Sequence, residues 1–271
     1  MYNVLSIAGS DCSGGAGIQA DLKAFAANGV YGMTVITAVT AQNTRGVTAV
    51  RVLDPEIVSA QIEAVFSDIR VDAVKIGMLA DGKIISAVAE ALRRWNPPVL
   101  VLDPVMVAKS GHRLLAPEAE ESLISELLPL ADLLTPNIPE AETLSGLELQ
   151  SADRESLENA GRRILETGAR AVLIKGGHSD DPESSADILV DAGGSGVYTA
   201  PRLEARHTHG TGCSLSSALA ALLARGFSLD EAVKWAKAYI SEGIAHGLPL
   251  GGGCGPIHHF YSLYGGKELA Q

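Results

Sequence analysis

The chain has 271 residues, 46% of them hydrophobic, so a large core can be buried in one large α/β domain or two small ones. Aromatics make up only 4%, so aliphatic side chains and alanine must fill that core. The formal net charge of −11 excludes general nucleic-acid binding, which needs a basic surface, but leaves open phosphate binding by locally placed N–H groups, lysines and metal.

No window approaches the ~20 apolar residues of a membrane span. Residues 1–8 are apolar but lack a basic leader and run directly into Gly9-Ser-Asp, the pattern of a first strand and its turn. The cysteines, Cys12, Cys213 and Cys254, are odd in number and have no metal-type spacing. A reducing cytoplasm and no membrane partner are therefore expected. With no internal repeat and no low-complexity linker, residues 1–271 are expected to form one domain.

Residues 4–8 read as a short buried strand. The glycine-rich loop that follows leads into a helix ending near Asn28-Gly29, a good stop signal. Gly15-Ala-Gly-Ile-Gln-Ala20 formally matches the dinucleotide fingerprint, but its first glycine comes seven positions after the strand's last residue. The next strand, 34–41, ends in Gln42-Asn43 and lacks the acidic residue that would hold a ribose. No Lys-Ser/Thr follows the glycines, so a P-loop is excluded too. What remains is a loop whose backbone can approach a small ligand closely. Asp11 and Asp21 are placed either to contact a substrate hydroxyl or to cap the loop and helix. Gln42 lies past the end of a buried strand, where ligands bind in open α/β sheets. Its amide both donates and accepts, so it suits a heterocycle with an amino group beside a ring nitrogen; the alternative is a loop residue satisfying backbone groups.

Helix is expected over 55–66 and 81–94, with a strand at 72–76 between them. The apolar strand 99–103 ends in Asp103, placed for a metal or a metal-bound water. Residues 109–112 and 180–185 are polar segments that could close over a site. A helix over 117–128 and a strand over 132–135 lead to Asn137 and Glu140, which share a face at a helix start. Glu140 reads as an N-terminal helix carboxylate or, with Asp103, as a magnesium environment. A helix over 151–167 precedes the strand ending in Lys175-Gly-Gly-His178, where the lysine reads as a phosphate neutraliser or a structural ion pair. Residues 186–191 and 197–200 pattern as a hairpin around the glycines at 193–196.

Thr208-His-Gly-Thr-Gly-Cys213 runs straight into an Ala/Leu-rich helix, about 212–225. Gly210 and Gly212 allow a tight turn, and the helix adds its positive end, so the stretch suits an anion. Cys213 falls in the first turn, where a thiolate would be stabilised. The stretch reads as a phosphoryl-transfer site with Cys213 facing the attacking hydroxyl, or as a plain helix start with a small packing cysteine. The helix 228–246 opens with a capping box, Ser228 and Glu231. His258-His259 has no third ligand nearby in sequence and is not read as a metal motif. The strand–helix alternation predicts a mainly parallel sheet covered on both faces, with Gln42, Asp103, Asn137, Glu140, Lys175 and Gly210–Cys213 converging on one edge.

Eight colinear motifs carry a resemblance over nearly the whole chain. They are Gly9-Ser-Asp-Cys-Ser-Gly-Gly-Ala-Gly-Ile-Gln-Ala-Asp-Leu-Lys23, Ala41-Gln-Asn-Thr44, Lys75-Ile-Gly-Met78, Asp103-Pro-Val-Met106, Thr135-Pro-Asn-Ile-Pro-Glu140, Lys175-Gly-Gly-His178, Thr208-His-Gly-Thr-Gly-Cys213 and Gly255-Pro-Ile-His-His-Phe260. Together they resemble the hydroxymethylpyrimidine/phosphomethylpyrimidine kinases of thiamine biosynthesis, a branch of the ribokinase superfamily. The resemblance implies a ribokinase-like three-layer sandwich and two ATP-dependent steps in one site: phosphorylation of 4-amino-5-hydroxymethyl-2-methylpyrimidine, then of its monophosphate. It implies that Gln42 recognises the aminopyrimidine and that Gly9, Ala16, Asp21, Met78 and Val105 surround it. Lys175, Thr208, Asn137 and Gly210–Gly212 would meet phosphates, and Asp103 and Glu140 would hold Mg2+ through water. It also implies a homodimer. Most of the superfamily has Asp as general base where this chain, like its branch, has Cys213. Cys12 stands where the family often has Pro and is assigned no role. Two rivals are a pyridoxal or pyridoxine kinase, against which Gln42, Met78 and the Gly-Pro-Ile-His-His-Phe ending speak, and a non-catalytic pyrimidine-binding protein. The phosphoryl-transfer residues speak against the second.

Overall fold

A computed structural model describes residues 1–108, 111–149, 153–176 and 183–264. Lys109 and Ser110, the expected helix start at Ser151, His178, residues 180–182 and the tail 265–271 lie outside the described residues.

The first half runs β1 (Asn3–Asp11), α1 (Gly17–Ala27), β2 (Tyr31–Asn43), β3 (Gly46–Val52), α2 (Pro55–Phe66), β4 (Ala73–Ile76), α3 (Gly82–Trp95) and β5 (Leu100–Leu102). An irregular helical stretch follows, containing the single α-turn α4 (Glu120–Ser122), then β6 (Leu133–Leu134), α5 (Ile138–Ser145), α6 (Arg154–Leu165) and β7 (Ala171–Ile174). The hairpin β8 (Ser184–Asp191) and β9 (Gly194–Pro201) precedes the last two helices, α7 (Thr211–Ala224) and α8 (Leu229–Ala245).

One nine-stranded sheet has the order β3-β2-β1-β4-β5-β6-β7-β8-β9. The six strands from β2 to β7 pair in parallel, while β3, β8 and β9 add antiparallel edges. The short central strands are buried on both faces, as parallel strands under helices must be, and apart from Lys75 in β4 they are apolar. Phe25 of α1, Leu219 and Leu222 of α7 and Val233 of α8 pack on one face. Ile62 of α2, Ile84 of α3, Leu144 of α5 and Ile164 of α6 pack on the other. This is the expected three-layer α/β sandwich. No helix among the described residues is long and apolar enough to cross a membrane.

Two elements differ from the sequence expectation. Strand β3 has no counterpart in it; it is a half-exposed edge strand folded back from β2. The helix expected over 117–128 is a 3-10 turn, one α-turn, a π-turn at Leu123–Leu127 and a second 3-10 turn at Leu128–Leu130. Pro129 lacks the N–H that a regular helix needs at that point.

Helix α7 is buried almost all round, because α1 and α8 flank it and the sheet lies beneath. Two of its serines are satisfied locally: Ser214 Oγ donates to the Gly210 carbonyl (2.7 Å) and Ser216 Oγ to that of Gly212 (3.1 Å). Its N-terminus thereby opens at the carboxyl edge of the parallel strands.

Candidate active site

A cavity of about 820 Å³ opens at that edge. Gly9, Ala16, Gln42, Met78 and Val105 line one part of it. Asp103, Asn137, Glu140, Lys175 and the segment from Thr208 through Gly210, Thr211 and Gly212 to Cys213 line another. Of the residues named from the sequence, Asp21 does not line it.

The turn into α7 is built on Gly210, whose φ is +81°; a Cβ there would also stand 1.8 Å from the Gly15 carbonyl oxygen. The loop that opens α7 and the glycine-rich loop thus touch backbone to backbone. A Cβ at Gly212 would stand 3.6 Å from Lys175 Nζ and 3.8 Å from Asp103 Oδ2, so the helix start looks directly at that ion pair. The first N–H groups of a helix have no carbonyl one turn back and remain available to an anion.

Lys175 Nζ donates to Asp103 Oδ1 at 2.8 Å. Burial works against the ammonium, but Asp103 and Glu140 outweigh it and hold its pKa above the ordinary lysine value. Glu140 closes a capping box on α5: Asn137 N donates to Glu140 Oε2, and Glu140 N to Asn137 Oδ1, both at 2.9 Å. Burial pushes the Glu140 carboxyl up to about 7, with Lys175 opposing and Asp103 adding to the rise.

Asp11 closes the glycine-rich loop. Its carboxylate accepts from Ser13 N (2.8 Å), Ser13 Oγ (2.7 Å), Gly15 N (3.1 Å) and Ala16 N (2.8 Å). Burial opposes the charge, but bonds from His209, Ser13 and Ala16 win and hold Asp11 at about 2. His209 Nε2 stands 3.1 Å from Asp11 Oδ2 and 3.1 Å from the Gln42 amide. Gln42 Nε2 is the atom that meets His209, so the imidazole nitrogen stands between the amide and the Asp11 carboxylate. Thr40, whose hydroxyl donates to the Ser10 carbonyl at 3.0 Å, stands 3.4 Å from Gln42 Oε1 on the other side of the amide. Gln42 keeps one lone pair and one N–H for a ligand. A register shift between Ala41 and Gln42 in the β2–β3 pairing marks a bulge, a device that re-aims a side chain next to a site.

Two expectations are corrected. Asp21, expected beside the substrate, is fully buried and does not line the cavity; Lys75 Nζ and the hydroxyls of Ser6 and Ser217 occupy its oxygens. The thiol of Cys213 is not eased toward thiolate: burial pushes its pKa up, and Asp21 and Asp103 add to the rise against the pull of Lys75 and an N–H from Gly17. Residues that sequence reasoning left without a role are His209 and Lys75, both within quoted motifs and both on the cavity wall.

The C-terminal segment braces the site. His209 N donates to the Gly255 carbonyl (2.9 Å) and Cys254 N to that of Thr44 (2.8 Å). His259 is buried with Nδ1 2.7 Å from the Tyr239 hydroxyl, and its Nε2 has no partner. Burial, followed by Lys23 and His258, pushes this imidazole down to about 4. Its unfolded value is 6.5, so stability is fully present above that pH and lost as pH falls toward 4, by about 3 kcal/mol. Urea unfolding at pH 7 and pH 4 is expected to show a smaller difference for His259→Gln than for the wild type, by about that amount.

A glycine-built helix start, a half-buried lysine and two carboxylates at the carboxyl edge of a ribokinase-like sheet are the arrangement of a small-molecule kinase. Residues 11–258 match the family described as phosphomethylpyrimidine kinase. The hydroxymethylpyrimidine/phosphomethylpyrimidine kinase of Escherichia coli (strain K12) is 52% identical over 264 residues, covering 97% of this chain and 98% of that one. A crystal structure of the Clostridium difficile phosphomethylpyrimidine kinase superposes with a TM-score of 0.80 at 50% identity, over 90% of this chain and 100% of that one. An ADP complex of Bacillus subtilis pyridoxal kinase superposes with a TM-score of 0.89 at 36% identity, over 97% and 99%. The chain belongs to the phosphomethylpyrimidine kinase family.

Proposed function

We infer that the chain phosphorylates 4-amino-5-hydroxymethyl-2-methylpyrimidine on its hydroxymethyl oxygen, then phosphorylates the monophosphate to the diphosphate, with ATP as donor, in thiamine biosynthesis. The observation that carries this reading is one cavity joining the Gln42 end to the Gly210–Cys213 helix start. The amide of Gln42, with one donor and one acceptor free, matches an amino group beside a ring nitrogen. Met78, Val105 and the bare backbone at Gly9 and Ala16 give a flat ring a narrow slot. The N–H groups of Gly210–Cys213 cradle the transferred phosphoryl group, Lys175 neutralises it, and Thr208 and Asn137 stand on the phosphate side. Asp103 and Glu140 suit Mg2+ held through water, since that ion takes one or two carboxylates and completes its shell with water and phosphate. Bound there it would neutralise charge on the phosphates.

Cys213 faces the acceptor hydroxyl. In the first step a thiolate would take the hydroxyl proton; in the second the acceptor is a phosphate oxygen already ionised near neutrality, so little base is needed. Cys213→Ala is expected to slow the first step about 10²-fold and the second far less. Because the thiol sits above its ordinary value, the first step is expected to speed up as pH rises into the alkaline range, and Cys213→Ala to flatten that limb. Equal slowing of both steps in single-turnover assays would assign Cys213 to packing.

The same reading takes the enzyme as a cytoplasmic homodimer, by likeness to the family; sedimentation measures the second point. A host that lacks its own kinase for this pyrimidine, and so needs thiamine, tests the function. Expressing this chain is expected to restore growth on hydroxymethylpyrimidine. Failure with soluble protein present would overturn the reading.

A further inference from the structure

Lys75 takes no part in the chemistry above, yet it is fully buried and forms part of the cavity wall. Its Nζ donates to both oxygens of Asp21, at 2.9 and 3.0 Å. Asp21 also accepts from Ser6 Oγ of β1 (2.6 Å) and Ser217 Oγ of α7 (2.7 Å). The pair is therefore fixed from β1, β4, α1 and α7 at once. A Cβ at Gly77 would stand 2.9 Å from Nζ, so the ammonium occupies the space that the missing side chain leaves. Ser217 lies four residues after Cys213 on α7, one turn along the same face. The Asp21–Lys75 pair thus lies against the face of the helix that carries the thiol.

A buried ion pair is poor evidence of a stability role, because well-packed apolar residues do as well in its place. What an apolar pair would not supply is a fixed positive charge beside Cys213. We propose that Lys75, clamped by Asp21, is a positioning residue that stabilises the Cys213 thiolate during the first phosphorylation. The inference rests on the functional reading above. The thiolate takes the proton of the hydroxymethyl group, whose oxygen bonds to the γ-phosphorus of ATP. The bond to the bridging oxygen breaks, ADP leaves with that electron pair, and the thiol later returns its proton to solvent.

The groups around Cys213 are mixed. Asp21 and Asp103 oppose the thiolate; Lys175, the α7 N-terminus and an N–H from Gly17 favour it. Lys75 favours the thiolate more than the Gly17 N–H does, and burial is what it works against. This also accounts for Asp21, whose carboxylate holds Lys75 charged and in place without meeting substrate.

Two variants test the proposal. Lys75→Met removes the ammonium but leaves Asp21 uncompensated. The double variant Lys75→Met/Asp21→Asn is neutral, keeps nearly the same volume and retains acceptor capacity for Ser6 and Ser217, so it guards against misfolding. The first readout is alkylation by iodoacetamide at about pH 8, followed by peptide mass, with exposed Cys12 as internal standard. Cys213 is expected to react about tenfold more slowly in the double variant, equivalent to a one-unit rise in its pKa, with Cys12 unchanged. The second readout is single-turnover kinetics, where the first phosphorylation is expected to slow about tenfold or more and the second much less. An unchanged Cys213 alkylation profile in the folded double variant, or equal slowing of the two steps, would overturn the proposal. Wild-type protein that phosphorylates neither acceptor would overturn the functional reading itself, an outcome visible before any variant is compared.

Discussion

Lys175→Met is expected to lower the rate of both phosphorylations about 10²–10³-fold, the usual effect of removing one preorganised charge from a phosphoryl or oxyanion site. Lys175 and the residue after it are held at three points. The Lys175 backbone N donates to the Pro136 carbonyl (2.8 Å), its Nζ meets Asp103 (2.8 Å), and the next residue, Gly176, donates its N–H to Asp187 Oδ1 (2.9 Å). Asp187 is itself fixed by Lys237 Nζ at 2.7 Å. A charge so placed needs no reorganisation when the phosphoryl group moves. Both steps transfer the same γ-phosphoryl group past the same helix start, so both should fall together, unlike the split expected at Cys213. The variant should also move pH behaviour. Glu140 sits at about 7, and Lys175 is what restrains it; without that cation the carboxyl rises further. The acid limb of the remaining activity is therefore expected to shift to higher pH. Single-turnover rates for each acceptor across pH read both effects.

Gly210→Ala is expected to cost about 10²-fold or more in activity, together with about 1–3 kcal/mol of stability from strained backbone. Two independent obstacles meet there. The φ of +81° is one that L side chains rarely adopt, and the new Cβ would stand 1.8 Å from the Gly15 carbonyl oxygen. Neither neighbour is a flexible side chain, so one backbone loop must move. Gly226 separates the two obstacles: its φ is +88°, but a Cβ there would meet nothing within 4 Å. Gly226→Ala should therefore show a modest loss in urea unfolding and near-normal turnover, while Gly210→Ala loses turnover as well. Equal turnover in the two variants would mean that the contact between the loops does not shape the anion site.

The apolar runs of β4, β5 and β7 were legible because strands buried on both faces need no alternation. The capping boxes at Ser228–Glu231 and Asn137–Glu140 follow from local chemistry, and both form. Strand β3 was not legible: it is a half-exposed edge strand with little hydrophobic signal. Within the site, Asp103 and Lys175 stand out because each follows a strand, and Gln42 because it comes at the end of one. Asp21 was misplaced for a tertiary reason. The sequence puts a carboxylate in the first helix, but only the packing of α1 against α7 and β4 shows that it points into the core at Lys75. Cys213 was misjudged in a similar way. A helix N-terminus does favour a thiolate, yet burial and two nearby carboxylates outweigh it, and neither can be read from one stretch. His209 looked like motif filler until folding placed it between Asp11 and Gln42.

The most direct test of the central claim is ADP release from magnesium-ATP, with hydroxymethylpyrimidine and pyridoxal supplied separately and the pyrimidine products resolved by charge. Monophosphate followed by diphosphate from the pyrimidine, with little turnover of pyridoxal, is the predicted result. Faster turnover of pyridoxal, or a pyrimidine product that stops at the monophosphate, would contradict the account.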